Sequence, residues 1–167
     1  MGSSTDTHVF LRSVRLFRNV EGPELGILAD SLRERPLKRG QVLFREGDGG
    51  DEMFLVRAGS IVISKAVTGR VEQVLARVGP GDFFGEMALF DRSPRSATIQ
   101  ADSDATLLVL DRATLRHLTE VSPRAAAAFF ESLVLVFIER LRASGDLVAE
   151  VTRWGLEATG LDVESRS

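Results

Sequence analysis

The feature that most constrains the fold is a series of short β-prone segments, separated by turns, between Pro36 and Leu110. The segments are apolar and rich in β-branched residues, and the turns between them contain glycine beside charged or small residues. These turns are Arg39-Gly40, Glu46-Gly47-Asp48-Gly49-Gly50, Ala58-Gly59-Ser60, Thr68-Gly69-Arg70 and Gly79-Pro80-Gly81-Asp82. Short strands with turn signals at a regular spacing are typical of a β-sandwich or a jelly-roll barrel. A mainly β fold is therefore expected.

Helical patterns flank the β-rich segment on both sides. Two short apolar patterns at helical spacing precede it, and Pro23 suits the first turn of the second one. After it, Asp111 suits the N-cap of one helix, while Ser122 and Pro123 suit the start of a long one. The expected boundaries are a disordered N-terminus at 1–7, N-terminal helices at 8–35, a β-roll at 36–111, C-terminal helices at 112–154 and a tail at 155–167.

The predicted long helix, 123–154, carries an apolar seam at a heptad spacing. Its members are separated alternately by four and three residues: Phe130, Val134, Phe137, Leu141, Ser144, Val148 and Val151. Such a seam fits a helix that lies on its own roll, or a helix that packs against its copy in a dimer. Because one helix face could not easily bury so much apolar surface alone, the homodimer is the favoured interpretation.

Composition argues against several classes of protein. The chain has no cysteine, so disulfides, thiolate metal sites and a cysteine nucleophile are excluded. Its two histidines, His8 and His117, lie outside the β-rich segment, and no Ser-His-Asp set can be recognised. A jelly-roll metalloenzyme would need histidines on its strands. We therefore expect neither an enzyme nor a metal site.

Charge and hydropathy also limit the expected location and partners. No apolar run approaches the roughly 20 residues that a membrane-spanning helix requires. The N-terminus lacks the order of charged and apolar segments that a signal peptide shows. A cytoplasmic protein without membrane contact is expected. The net charge of −3 argues weakly against binding nucleic acid.

One stretch, from Phe83 to Thr98, combines residues suited to hold a small anion. Gly85 would let a ligand approach the backbone, because it has no Cβ. Residues 87–90 suit a short helix whose first backbone N–H groups are free to bind an anion. The stretch is therefore a candidate binding loop.

Three polar side chains in this loop define the chemistry of the ligand. Arg95 offers a planar fork that matches phosphate oxygens. The Ser96 hydroxyl can donate to the same phosphate. Glu86 only accepts hydrogen bonds when ionised, which suits a sugar hydroxyl rather than a phosphate. The expected ligand is thus an anion that also bears hydroxyl groups.

The order and spacing of these residues closely resemble the phosphate-binding cassette of the cyclic nucleotide-binding domain family. That family includes the catabolite activator protein, the regulatory subunits of cAMP-dependent kinase and cyclic-nucleotide-gated channels. Its cassette reads roughly Phe-Gly-Glu-Leu/Met-Ala-Leu, a short variable stretch, then Arg-Ser/Thr/Ala-Ala. Residues 84–89 and 95–97 match this pattern without a departure. The resemblance covers roughly residues 10–150 and implies an eight-stranded β-roll.

The resemblance also implies a role for each cassette residue. Arg95 would pair with the cyclic phosphate, Glu86 would accept from the ribose 2′-hydroxyl, and Ser96 would contact the phosphate. Gly85 and Ala88 would supply backbone N–H groups and would let the ligand approach the backbone closely. The full expected ligand-binding set in the cassette is Phe84, Gly85, Glu86, Met87, Ala88, Arg95, Ser96 and Ala97.

The long helix is expected to contribute one further ligand-binding residue, Ser144. In an alignment on Arg140 and Leu141, Ser144 falls where a threonine of the activator helix reaches the adenine amino group. The next residue, Gly145, lacks the side chain with which the partner subunit caps the base there.

Serine at position 96 is compatible with cAMP and does not decide against cGMP.

The expected function is a stand-alone cyclic nucleotide receptor that needs no cofactor and whose ligand is cAMP or, alternatively, cGMP. It would signal through its C-terminal helix to a dimer partner or to an unknown effector protein. Transcription regulators of the family carry a helix-turn-helix after the long helix, and the tail at 155–167 is too short for one, so DNA binding is not expected. A cyclic dinucleotide receptor and a ligand-free interaction module are the alternatives.

Overall fold

The computed structural model describes residues 4–69 and 71–158. Over these residues, eight strands form two antiparallel four-stranded sheets, and helices lie at both ends. The helices are α1 (Ser4–Ser13), α2 (Gly22–Ser31), α3 (Arg112–Val121) and α4 (Pro123–Ala158), with 3-10 helices at Arg15–Phe17 and Glu86–Leu89. The strands are β1 (Arg33–Leu37), β2 (Val42–Phe44), β3 (Glu52–Ala58), β4 (Ile61–Thr68), β5 (Val71–Val78), β6 (Phe83–Phe84), β7 (Thr98–Ala101) and β8 (Ala105–Asp111).

The two sheets form the predicted roll. The first sheet has the order β1-β8-β3-β6, and the second has the order β2-β7-β4-β5. Their inner faces enclose one apolar core, which includes Phe54, Val56, Ile61, Leu107 and Val109. The prediction of a mainly β, eight-stranded fold with flanking helices is confirmed.

The helices form a layer on the outer face of the first sheet, around a second apolar core. Met53 and Leu55 of β3 belong to this core, whereas Phe54 and Val56 of the same strand belong to the core inside the roll. Successive side chains of a strand point to opposite faces, so β3 is covered on both sides. Strand β8 is divided between the two cores in the same alternating way. This double burial explains why both strands are continuously apolar.

Several predicted boundaries of helices and strands differ from the structure. α1 begins at Ser4, so residues 4–7, expected in a disordered N-terminus, are helical; Thr7 is buried and accepts a hydrogen bond from Arg57. β1 begins at Arg33, inside the segment predicted to be helical, because Arg33 to Leu37 pair with β8. α4 continues past the predicted end at residue 154. The remaining parts of the predicted termini, 1–3 and 159–167, lie outside the described residues.

The caps predicted for the C-terminal helices are present. The Asp111 side chain accepts a hydrogen bond from the backbone N–H of Thr114 at 2.7 Å, so it caps α3. The Ser122 hydroxyl accepts one from the backbone N–H of Ala125 at 3.4 Å, at the start of α4. These caps set the point at which the chain leaves β8 and crosses the helical layer.

The two halves of α4 lie in different environments. Its first half packs on the body of the protein through Phe129, Leu133 and Val136, and the Phe129 ring stacks on Phe17 at 5.9 Å. Beyond this, every side chain described from 138 to 154 is exposed. The predicted seam lies largely on the uncovered side, since Leu141 is 74% exposed and Val148 is 62% exposed. None of the helices among the described residues has the length and hydropathy to span a membrane.

Candidate functional site

A cavity of about 350 Å³ lies between the second sheet, the segment 83–98 and α4. All eight residues predicted for ligand binding in that segment line it: Phe84, Gly85, Glu86, Met87, Ala88, Arg95, Ser96 and Ala97. One wall is apolar and is built by strand residues, namely Phe44, Ile63, Ala76, Val78, Phe83 and Ile99. The volume falls in the range of small-molecule sites. The cavity therefore combines an apolar wall with a cation and a carboxylate.

The cassette helix, Glu86–Leu89, begins directly after β6 at a glycine with a left-handed backbone. Gly85 has φ +76°, a conformation that side chains with a Cβ rarely adopt. A Cβ there would also lie 3.0 Å from Arg95 Nη1 and 3.2 Å from the carbonyl oxygen of Glu52. The predicted short helix is thus present, although it is a 3-10 helix and starts one residue earlier than expected.

Arg95 is a buried cation whose hydrogen bonds are incomplete. It is only 8% exposed, and its Nη1 donates to the carbonyl oxygen of Glu52 at 2.9 Å and of Gly85 at 3.4 Å. The guanidinium carbon lies 4.1 Å from the centre of the Phe44 ring. Among the described residues, its buried Nε has no partner. Burial lowers the pKa of Arg95, against the opposing effect of nearby carboxylates. Its Nη2 has no recorded hydrogen bond among the described residues and is not a buried unsatisfied atom, so this nitrogen is available to an anion in the cavity.

The loop between β2 and β3 surrounds Arg95. The backbone N–H of Gly47 donates to the Arg95 carbonyl, and the Arg95 N–H donates to the Asp48 carbonyl, each at 2.8 Å. A Cβ on Gly50 would lie 2.4 Å from Arg95 Nη2. Gly50 therefore makes room for the guanidinium. The sequence does not suggest this role, because the glycines at 47, 49 and 50 are typical of a turn.

Glu86 is held by a residue that was not predicted to be in the site, Arg140 of α4. Arg140 Nη1 donates to Glu86 Oε1 at 2.6 Å, and its guanidinium carbon lies 4.9 Å from the Phe83 ring centre. The Glu86 residue is 6% exposed. Among the described residues, no hydrogen bond is recorded at Oε2, and this oxygen is not a buried unsatisfied atom. One carboxylate oxygen is therefore available to a ligand.

A sequence signal for Arg140 exists on a second stripe of α4. Phe129, Leu133 and Val136 are buried on the body, and Arg140 continues their spacing of four, three and four residues. Residues at this spacing share one helix face. The predicted heptad seam lies on a neighbouring face of α4, so that pattern does not indicate a role for Arg140 in the site.

Ser144 is the one predicted site residue that does not line the cavity. It is exposed on α4, one turn beyond Arg140, where the helix has left the body of the protein. A base contact by Ser144 would need α4 or a partner helix to cover the cavity, and this contact stays a prediction. Within residues 4–69 and 71–158, no cluster of three or more His, Asp or Glu side chains is placed to hold a metal ion.

Comparisons with known proteins identify the family of this chain. The family model described as cyclic nucleotide-binding domain matches residues 34–122, which include the whole roll except its first residue, and the cassette. The chain is 28% identical over 136 residues to the CRP-like cAMP-activated global transcriptional regulator of Mycobacterium tuberculosis. The match covers 81% of this chain but spans only 59% of that regulator's length.

Two solved structures extend the comparison. The N-terminal domain of a transcriptional regulator from Streptomyces coelicolor has a TM-score of 0.71 and 34% identity, over 83% of this chain and 94% of that one. The co-crystal structure of the regulatory domain of Toxoplasma gondii PKA with cAMP has a TM-score of 0.67 and 26% identity, over 78% of this chain and 49% of that one. The family resemblance carried by the cassette is confirmed: this chain belongs to the cyclic nucleotide-binding domain family.

Proposed function

We propose that this protein is a cAMP receptor that binds its ligand in the cassette cavity. The observation that carries the proposal is Arg95, a buried cation on the cavity wall whose Nη2 has no recorded hydrogen bond, in the same cavity lining as a carboxylate, Glu86. A cyclic nucleotide has the matching parts, which are a phosphate anion, a ribose hydroxyl and a flat apolar base. The names of the mycobacterial regulator and of the Toxoplasma complex, both of which refer to cAMP, support this choice of nucleotide.

In this proposal the roll side of the cavity binds the phosphate and the ribose. The phosphate pairs with Arg95 and the Ser96 hydroxyl, and the ribose 2′-hydroxyl donates to the free oxygen of Glu86. The base lies along the apolar wall that includes Ile63 and Val78. A serine at 96 is compatible with either purine, so cGMP is the second candidate ligand.

Arg140 provides the proposed link between the ligand and α4. It bonds one oxygen of Glu86 and orients the carboxylate whose other oxygen would receive the ribose. A ligand that bonds Glu86 therefore favours the position of α4 in which Arg140 stays in place. A ligand shifts such an equilibrium only as far as its affinity differs between the two positions.

The exposed half of α4 is proposed to pair with a second copy of the chain. Leu141, Val148 and Val151 follow one stripe, and Leu147 and Trp154 extend it on one side. These side chains have no covering surface among the described residues, and a two-stranded coiled coil would bury them. Sedimentation should show a dimer, and Val148→Glu should convert it to a monomer without loss of fold; a wild type that stays monomeric would refute the dimer.

The proposed function is tested by calorimetric titration of the purified, ligand-stripped chain with cAMP, cGMP and a cyclic dinucleotide. We expect saturable binding at one site per chain and tighter binding of cAMP than of cGMP. Non-cyclic AMP is the control, since its phosphate carries a different charge and geometry. Binding of none of these nucleotides would overturn the receptor proposal, and tighter binding of the cyclic dinucleotide would replace cAMP as the ligand.

A further inference from the structure

The carboxyl end of the cassette helix is held by an arginine that does not line the cavity. Arg112 is the first residue of α3. Its Nη2 donates to the Ala88 carbonyl at 2.6 Å and to the Asp91 carbonyl at 3.4 Å, and its Nε donates to the Leu89 carbonyl at 3.2 Å. The last carbonyls of a helix lack partners within it, and a cation there also complements the helix dipole. Arg112 thus completes the end of a helix that has only four residues.

The backbone of the same residue bonds the chain just before β3. The Arg112 N–H donates to the Asp51 carbonyl at 3.0 Å. The next carbonyl along the chain, that of Glu52, accepts the hydrogen bond from Arg95 at 2.9 Å. Arg112 therefore contacts both the helix that carries Glu86 and the segment that holds Arg95.

The other contacts of the cassette helix are made by its side chains. Met87 is 58% exposed and Phe90, which follows the helix, is 52% exposed, so part of this segment is open to solvent. A helix this short has very few internal hydrogen bonds. Its other anchors are the buried side chains of Ala88, Leu89 and Glu86, the last of which pairs with Arg140. Phe90, directly after the helix, also contacts the Phe130 ring at 5.9 Å. The guanidinium of Arg112 adds the hydrogen bonds that hold the carbonyl end of the helix.

We propose that Arg112 is a positioning residue for cyclic nucleotide binding. It joins the carbonyl end of the cassette helix to the Asp51–Glu52 segment, and so sets the position of Glu86 relative to Arg95. This inference rests on the proposed function, because it concerns the affinity of the same cavity. It adds a residue outside the cassette and outside the cavity lining to those on which affinity depends.

The test uses Arg112→Ala and Arg112→Lys, with Arg116→Ala as the matched control. Arg116 lies one turn further along α3, is exposed, and its side chain makes no recorded hydrogen bond among the described residues. Amide hydrogen exchange is measured without ligand at Ala88, Phe90 and Asp91, whose N–H groups bond within the cassette. Affinity for cAMP is measured by calorimetry.

For Arg112→Ala we expect faster exchange at these amides and about tenfold weaker cAMP binding, while exchange in β3 and β8 is unchanged. Arg112→Lys should recover part of the affinity, because a lysine keeps the charge but cannot donate as a fork to several carbonyls. Arg116→Ala should change neither quantity. Unchanged exchange in β3 and β8 shows that any loss of affinity in the alanine variant does not come from failure to fold.

Two outcomes would overturn the inference. If Arg112→Ala leaves exchange at the cassette amides unchanged, the arginine does not hold the helix. If exchange accelerates but the affinity for cAMP is unchanged, the helix position does not matter for binding. Failure of the proposed function is distinct from both, because in that case the wild-type chain binds no cyclic nucleotide; the inference then falls with it, and the exchange data still establish whether Arg112 holds the helix.

Discussion

The two sides of the cavity are held by very different interactions. On the roll side, Arg95 is buried and is surrounded by backbone carbonyls and an aromatic ring. On the helix side, the ion pair between Arg140 and Glu86 and the contact of the Phe90 and Phe130 rings join α4 to the cassette, and the Arg140 side chain is half exposed. Backbone hydrogen bonds inside a packed fold do not open easily, whereas a half-exposed arginine can exchange its partner for water at a smaller cost. The roll side is therefore suited to recognition, and the helix side is suited to respond.

The largest expected effect comes from a substitution that weakens the packing of α4 on the body of the protein and lies outside the cavity lining. Phe129→Ala removes a fully buried ring that stacks on Phe17, and should lower the free energy of unfolding by about 3–5 kcal/mol. Denaturant titration measures this loss. If the roll side alone recognises the ligand, the folded variant should keep its affinity for cAMP to within about tenfold; a complete loss of binding would break the comparison.

The next effect concerns the roll side directly. Arg95→Ala should lower the binding free energy of cAMP by about 2–5 kcal/mol, the range for truncating one partner of a buried charge pair. Its stability should change far less, because the guanidinium is buried with an unpartnered Nε. Arg92→Ala, in the same loop and exposed, is the control for calorimetry. Unchanged cAMP affinity in Arg95→Ala would remove Arg95 from the site.

A smaller effect depends on pH at the junction of β8 and α3. The hydrogen bond from the Thr114 backbone holds the pKa of Asp111 below its usual value, against the opposing effect of burial. A lowered pKa stabilises the fold above the unfolded-state pKa near 4, and this stability is lost as the pH falls through the folded-state value. Asp111→Ala should cost about 1 kcal/mol at neutral pH.

The pH dependence supplies the check on this cap. The difference in unfolding free energy between wild type and Asp111→Ala should shrink when the pH is lowered through that acidic range. Thermal unfolding at neutral and acidic pH measures it. A difference that stays constant with pH would mean that the charge of Asp111 does not contribute.

The smallest expected effect lies on the helix side. Arg140→Ala should weaken cAMP binding by less than about tenfold, because the Arg140 side chain is half exposed and water can replace it at Glu86. Arg142→Ala, two residues further along the exposed part of α4, should have no effect. A loss as large as that of Arg95→Ala would show that the two sides of the cavity contribute equally.

The sequence predicted the parts of the site that depend on local order. Gly85, Glu86, Arg95 and Ser96 lie in one short segment, where backbone geometry and side-chain type are coupled, so the cavity lining could be anticipated from that segment. Arg140 joins the site across a sequence separation of 54 residues. No local pattern specifies such a contact, and only the buried stripe of α4 hinted at it.

The same distinction explains the errors in the fold. Arg33 to Pro36 have no apolar alternation, and they form a strand only because β8 offers them backbone partners far along the chain. The role of Gly50 could not be predicted for the same reason, because a turn glycine and a glycine that leaves space for a guanidinium are identical in sequence. Tertiary context decided both cases.

Strands β3 and β8 have apolar side chains on both faces, and one consequence concerns how the molecule comes apart. The helical layer cannot detach without uncovering Met53 and Leu55, whose neighbours Phe54 and Val56 belong to the roll. Layer and roll should therefore melt together as one cooperative unit, and their slowest-exchanging amides should share a single opening energy. Residues 138–154, which are exposed throughout, should fray at a much lower energy. A cooperatively folded body is thus joined to a helical segment whose order depends on the surface against which it packs.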